Sequence, residues 1–436
     1  MGTQGKRESS TTVASALALL VALAVLALAA CGGSSTTTSN TPSASHPATP
    51  PAVTPATPTE STTAAAGEAH AAMFRANLER TGVYPAGGPS RLPKLLWTFR
   101  TTSVASMEYV SSPTVADGLA YVGSQDSYLY AVDTQSGRET WKFKTGDWVR
   151  CPAVADGVVY VGSHDHYLYA LDARTGKKDW QFRTWAAITS SPAVSNGVVY
   201  VGSEDGALYA LNVRDGKEIW HFNTGAEISS SPAVSDGVVY VGSHDHYLYA
   251  LDARSGRQRW KFKASGPVTT EAAVRDGVVY CGSWDNLGTP AAYGPSGHHL
   301  YAVDVRSGRE RWEFDPHGVV TSPAVAGGTA YVGSDDGHVY AVDTGSGEQK
   351  WRFYAGRGYW GVQSSPVLSG GAVYFGSNGP KRSLYALDAT SGRKLWAFPT
   401  GGALESSPAI CNGVVYFTDL TYGSDSLACG RLCAVK

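Results

Sequence analysis

Two short runs carry the residue types of a metal site. His164-Asp165-His166 and His244-Asp245-His246 each place two imidazoles around a carboxylate, and neutral imidazole with carboxylate is a zinc donor set. Both runs occupy the same point of a repeated unit, where other copies read Gln125-Asp126-Ser127, Glu204-Asp205-Gly206 and Asp335-Asp336-Gly337. Asp favours tight turns because its side chain bonds the backbone two residues on. The pattern therefore reads as a surface turn, and no metal site is assigned. Paired serines, among them Ser190-Ser191 and Ser364-Ser365, recur in the same way and read as strand entry rather than as one nucleophile. No G-x-S-x-G elbow, P-loop or H-E-x-x-H run is present. No catalytic residue is assigned.

The unit that positions these residues is S-S-P-A-V, a Gly turn, V-V-Y-V-G-S, a polar turn, L-Y-A-L-D, x-x-S-G, then x-x-W-x-F. Its proline position is filled by Pro113, Pro152, Pro192, Pro232, Ala272, Pro323, Pro366 and Pro408. Residues 157–174 and 237–254 are identical. A period of ~40 residues with alternating apolar positions is a propeller-blade signature. In the fourth unit, Ser230–Val234 reads as inner strand A, Val238–Gly242 as B, Tyr247–Asp252 as C and Arg257–Lys263 as outer strand D. The D position holds Trp141, Trp180, Trp220, Trp260, Trp312, Trp351 and Trp396. The eighth unit ends at Lys436 before a D strand, and Trp97 in Leu96-Trp97-Thr98-Phe99 matches the missing position. The fold class is therefore all-β: a single eight-bladed propeller of four-stranded repeats, closed by an N-terminal strand.

Tyr169-Ala170-Leu171-Asp172-Ala173-Arg174-Thr175-Gly176-Lys177-Lys178-Asp179-Trp180 resembles the docking motif of the pyrroloquinoline-quinone (PQQ)-like repeat propellers. Met73-Phe74-Arg75 with Arg80-Thr81-Gly82 resembles the segment that often precedes them. The resemblance covers residues 70–436. It implies that Asp172, Asp252, Asp304, Asp343 and Asp388, with Ser or Thr at 175, 255, 307, 346 and 391, cap the C–D turns and tie them to a neighbouring blade's Trp. Asn212 replaces the Asp in blade 3, and blade 8 ends in Ala434-Val435-Lys436, so weaker docking is expected at both. The family includes quinoprotein dehydrogenases, which use PQQ and calcium, and an outer-membrane assembly lipoprotein that binds partner proteins without a cofactor. The chain resembles the second branch more. It lacks the adjacent cysteine pair of the dehydrogenases, and most of its loops are minimal. No cofactor is expected; PQQ with calcium belongs to the alternative reading, a quinoprotein oxidoreductase.

Residues that break the repeat are the candidates for binding. The D–A loops and B–C turns are expected on one face, around the central channel. They hold Glu108, Tyr109, Trp148, Arg150, Trp185, Glu227, Glu271, His317, Arg357, Tyr359, Trp360 and Glu405. Aromatic and Arg side chains dominate binding hot spots. The bland reading is that Trp148, Trp185 and Trp360 plug the channel mouth. The long Gly- and Pro-rich insertion Asn286–His299 in blade 5 is expected to overhang the same face. The expected occupant is an envelope protein or a small ligand.

The N-terminus reads as an address. Lys6 and Arg7 precede the apolar run Val13–Ala30, and Leu28-Ala29-Ala30-Cys31 resembles the bacterial lipobox. That resemblance implies cleavage before Cys31 and a diacylglycerol thioether on its sulfur. Residues 1–30 are thus expected as a signal peptide, 31–68 as a lipidated Cys with a disordered tether rich in Ser, Thr, Pro and Ala, and 69–436 as the propeller. The location expected is the extracytoplasmic side of a bacterial membrane. A net charge of −2 with no long basic run excludes a duplex nucleic-acid footprint, and a monomer is expected. A sensor ectodomain is disfavoured because no kinase or transmembrane output domain follows. Cys151 and Cys281 read as small buried residues. A Cys429–Cys433 disulfide is expected, with a turn at Gly430 bringing the two together, since a fully extended segment would hold their Cα atoms ~13 Å apart.

Overall fold

The computed structural model describes residues 72–85, 87–102, 104–105, 110–284, 298–357, 361–422 and 427–436. The signal run, Cys31, the tether, and Glu108, Tyr109, Tyr359, Trp360 and residues 286–297 lie outside them.

Eight antiparallel sheets form, each with its strands in the order A-B-C-D. Blade 4 shows why. Asp236 and Gly237 take φ of 49° and 70°, the left-handed pair that a two-residue hairpin requires. They join strand A (Ala233–Ser235) to strand B (Val238–Gly242), and strands C (Tyr247–Asp252) and D (Gln258–Lys263) follow. Strands B and C are buried on both faces because every blade is packed between two others. Successive A strands contact one another around the ring and so line its axis. No helix is present among the described residues.

The ring closes as the tryptophan series predicts. Leu95–Arg100 pairs antiparallel with the C-terminal strand Leu427–Val435, with Trp97 opposite Ala434 and Phe99 opposite Leu432. The first strand of the fold is therefore the D strand of the last blade, and the sheet is not left short at the seam.

Seven of the eight D-strand Trp side chains dock on the next blade. Trp260 Nε1 donates to Val305 O at 2.8 Å, and Trp220 Nε1 to Ala253 O at 3.1 Å. The Ser/Thr-Gly pair explains itself at this contact. Gly256 holds φ of +69°, and a Cβ there would lie 2.7 Å from the Trp220 ring. Asp252 Oδ1 accepts from Ser255 N and Oγ, fixing the turn that presents that glycine. A second seam runs alongside: Phe143 meets Tyr169 edge-on at 5.2 Å, and Phe222 meets Tyr249 at 5.3 Å.

The two sites of expected weak docking are compensated. In blade 3 the Asn212 amide oxygen accepts from Arg214 N, and Trp180 Nε1 still reaches Val213 O at 2.9 Å. Facing blade 8, which has no C–D turn, Trp396 Nε1 donates instead to Pro89 O at 2.8 Å.

The Cys429–Cys433 disulfide does not form; both thiols are free. Both residues lie in the single strand Leu427–Val435, whose register with Val414–Tyr422 runs unbroken from Cys429 to Cys433. Four residues of extended strand separate the two by ~13 Å. Gly430 makes no turn: it is a close-approach residue, because a Cβ there would collide with the Val110 side chain. Cys151 and Cys281 are buried.

Candidate functional site

The loop face is built by the Asp of the B–C turn. Asp165 Oδ2 accepts from Tyr169 Oη at 2.8 Å and from Gly146 N, in the preceding D–A loop, at 2.6 Å. Asp245 repeats this with Tyr249 and Gly225. The carboxylate thus locks loop to turn, which brings the D–A loops and B–C turns to one face. It is committed to structure in both His-Asp-His runs.

In blade 3 the same bond runs from Trp185 N to Asp205 Oδ2 at 2.9 Å. Trp185 therefore stands where Gly146 and Gly225 stand in the neighbouring loops. The backbone needs no side chain at that point, and the indole is 86% exposed. It covers nothing, so it is not a channel plug. Trp148, in the adjacent loop, is 38% exposed and tilts against His164 with centroids 5.0 Å apart. Arg150 Nε donates to His164 Nε2 at 3.1 Å, so these three side chains form one cluster. Burial, with the Arg150 charge adding to it, pushes the His164 imidazole down to about 4. It is neutral at pH 7 and accepts from Arg150.

The remaining predicted residues divide by position. Glu227 is exposed beside a shallow groove of about 490 Å³ lined also by Glu204, Asp205 and His244. His317 and Arg357 stand exposed in the loops leading to blades 6 and 7, and Glu405 is half-buried in the loop leading to blade 8. Glu271 is not on the loop face. It takes the second-serine position of strand entry in blade 5, beside the axis. There it accepts from Ser231 Oγ at 3.2 Å and from Ser322 Oγ.

Two residues inside the ring received no role from sequence. Residues 72–84 run along the A strands: Leu78 O, Glu79 O, Thr81 O and Gly82 O accept from Val234, Val274, Val325 and Leu368 N–H. Arg75 and Arg80, both fully buried, reach from this segment to the inner wall. Arg80 donates to Pro232 O (2.6 Å), Phe74 O (2.9 Å), Ser191 O (2.9 Å) and Pro192 O (3.1 Å). Arg75 Nη2 donates to Pro323 O at 2.5 Å. Burial lowers both guanidinium groups to about 10, opposed by the Glu271 carboxylate, so both stay charged at neutral pH. The only hint in the sequence was the resemblance of Met73-Phe74-Arg75 and Arg80-Thr81-Gly82 to a family lead-in.

PQQ with calcium requires several converging oxygen donors. Among the described residues no three His, Cys, Asp or Glu side chains converge on an ion-sized site. Glu271 is already bonded to two serine hydroxyls, and its charge acts on the buried Arg75 and Arg80 guanidinium groups. The described residues do not fit that pair.

Comparison with known proteins agrees with the architecture. The family described as outer membrane protein assembly factor BamB matches residues 93–222, 208–294, 248–381 and 356–435. No curated protein matches. The crystal structure of BamB from Moraxella catarrhalis superposes with a TM-score of 0.57 at 20% identity, covering 77% of this chain and 97% of that one. Quinohemoprotein alcohol dehydrogenase ADHIIG from Pseudomonas putida HK5 gives 0.65 at 17%, over 84% and 80% of the two chains. A europium-containing methanol dehydrogenase gives 0.65 at 16%, over 84% and 97%. At these identities the likeness speaks for the fold alone.

Proposed function

We propose a function from the premise that the chain belongs to the PQQ-like propeller family described as outer membrane protein assembly factor BamB. Its fold supports a protein-binding role of the assembly-factor kind. Our reading is more specific: an exported lipoprotein, anchored through Cys31, that captures an envelope partner on its D–A loop face and performs no redox reaction.

The observation that carries this reading is Trp185. An indole 86% exposed, at a position that neighbouring loops fill with glycine, is not needed by the blade. Exposed aromatics beside Arg are the side chains on which interfaces depend. With Trp148 and Arg150 one loop away, the face offers an anchor pair on a rigid ring. Large obligate partners and small ligands both use such anchors; the family membership favours a protein.

The test is capture from the native envelope with the anchored protein as bait. Trp148→Ala with Trp185→Ala should lower partner capture by ~30-fold or more, as loss of hot-spot aromatics does. The unfolding midpoint should hold. Undiminished capture by the double variant would refute the loop-face reading. Uptake of PQQ with calcium, followed by alcohol-dependent dye reduction, would establish the oxidoreductase reading in its place.

A further inference from the structure

We infer that the outer edge of blade 8 is a contact surface for an anionic lipid bilayer. This rests on the envelope-lipoprotein reading for the nearness of a membrane, and it adds which side of the ring meets it.

Leu92, Leu95 and Leu96 are 62%, 50% and 49% exposed. They are three of the eight large hydrophobic side chains exposed among the described residues, and they fall within five positions. Leu95 and Leu96 open the D strand of blade 8. At the same two positions each of the other seven D strands carries a charged side chain, as in Lys178-Asp179 and Glu310-Arg311. Those positions are solvent-facing in nearly every blade. Apolar residues do occur at the second position, as Ile219 and Leu395, but in no other blade are both positions apolar, so the fold does not require a leucine pair there. An exposed apolar cluster on a soluble ring marks an interaction surface.

Its surroundings select the occupant. Arg91 and Lys94 flank these leucines, and residues 91–100 contain no carboxylate. Lys94 exchanges both backbone hydrogen bonds with Lys436, at 2.8 and 2.9 Å, which brings a third cation to the patch. All three side chains are exposed. Apolar residues ringed by Lys and Arg are the composition of a peripheral bilayer contact: the leucines enter the acyl boundary while the cations meet phosphates. A second copy is the rival occupant, because an outer strand can pair edge to edge. A two-fold pairing would set these cations against their own copies, which argues for the anionic surface instead.

The placement also fixes an orientation. Leu95 and Leu96 lie at the start of the D strand, the end at which Trp97 docks on Thr134 O of the C–D turn in blade 1. The D–A loops are at the opposite end of that strand. Contact at this edge therefore leaves the loop face turned away from the bilayer and open to a partner.

The experiment is lipid photolabelling of the full chain attached to vesicles, with labelled peptides located by mass spectrometry. In vesicles of phosphatidylcholine with phosphatidylglycerol, labelling should concentrate in residues 91–100. It should fall by ~5-fold or more in pure phosphatidylcholine, because each cation near an anionic surface contributes about that factor. Leu95→Glu with Leu96→Glu, and separately Leu92→Glu outside the strand, should abolish the labelling while the chain still floats with the vesicles. A floating chain unlabelled at 91–100, or labelled equally on all D strands, sinks this inference and leaves the anchor standing. A chain that does not float sinks both. A dimer that shields 91–100 assigns the surface to a second copy and overturns the inference.

Discussion

Arg80 should be among the most stabilising side chains in the molecule, and Arg80→Met tests it. The guanidinium makes four hydrogen bonds, all to backbone carbonyls, from Phe74 in its own segment to Ser191, Pro192 and Pro232 in blades 3 and 4. Hydrogen bonds from a charged donor contribute ~1.5–3 kcal/mol each, or ~6–12 kcal/mol gross for the four. Desolvation of the guanidinium opposes them by several kcal/mol, and the same burial lowers its pKa to about 10. Removing one partner of a buried charged network typically destabilises by ~3–5 kcal/mol. Met approximates the volume, so cavity formation adds little, and ~3–5 kcal/mol is the expected loss. Equilibrium urea unfolding followed by tryptophan fluorescence reads it directly. Arg75→Met should lose less, because Arg75 Nη1 has no acceptor and its Nε contact with Arg80 O is a long 3.3 Å. A loss under ~1 kcal/mol for Arg80→Met, or a larger loss at Arg75, would refute the hydrogen-bond reasoning.

The other predictions contrast scaffold with surface. Trp260→Ala should destabilise by ~3–5 kcal/mol through cavity formation, whereas Trp185→Ala should stay within ~0.5 kcal/mol; equal effects in the same urea titration would contradict the docking account. Deleting residues 1–66 should leave the unfolding midpoint unchanged, while extending the deletion through Arg100 should expose the strand Leu427–Val435 and cause self-association, read by light scattering. Mass spectrometry of the native protein should find Cys31 as an acylated N-terminus, and Cys31→Ser should release the chain from the membrane fraction. His164 should titrate near pH 4 by NMR. Its unfolded value is ~6.5, so between pH 6.5 and 4 the unfolded chain binds a proton that the native chain refuses, and stability contributed by this site falls as pH falls through that window. Titration of His164 at 6 or above would show that its ring is not held under Trp148 and Arg150.

The scaffold was legible because its contacts repeat. Trp220 against Gly256 is one of seven such contacts round the ring, so a periodic sequence exposes it without coordinates. Blade closure was legible for the same reason: Trp97 is one more member of the series. The axial segment was not. Arg80 binds carbonyls 111, 112 and 152 residues away, and a backbone acceptor leaves no mark on residue type. Residues 72–84 have no period of their own, so neither hydrophobic pattern nor repeat could place them. The Cys429–Cys433 misreading has a comparable origin. Gly430 reads equally as a turn or as a close approach, and only the neighbouring Val110 decides between them.

Departure from the repeat identifies residues that the blade does not need, but the depth of each departure decides what it is for. Glu271 and Trp185 both interrupt the series. Glu271 replaces a serine whose neighbours, Ser231 and Ser322, turn their hydroxyls onto it, so its carboxylate is balanced inside the ring against Arg75 and Arg80. Trp185 replaces a glycine whose backbone bond it preserves, so its side chain is additional and faces solvent. Leu95 and Leu96 stand as a pair where every other blade has at least one charged residue on the outer edge, so theirs is a change of solvent preference with no change of backbone. One internal repeat thus carries three kinds of exception: an inward one that centres the axial segment, an upward one suited to a partner, and an outward one suited to a bilayer. Because these lie on different sides of a rigid ring, substitutions in one should leave the others intact, with coupling below ~0.5 kcal/mol in double-mutant cycles between Trp185 and Leu95.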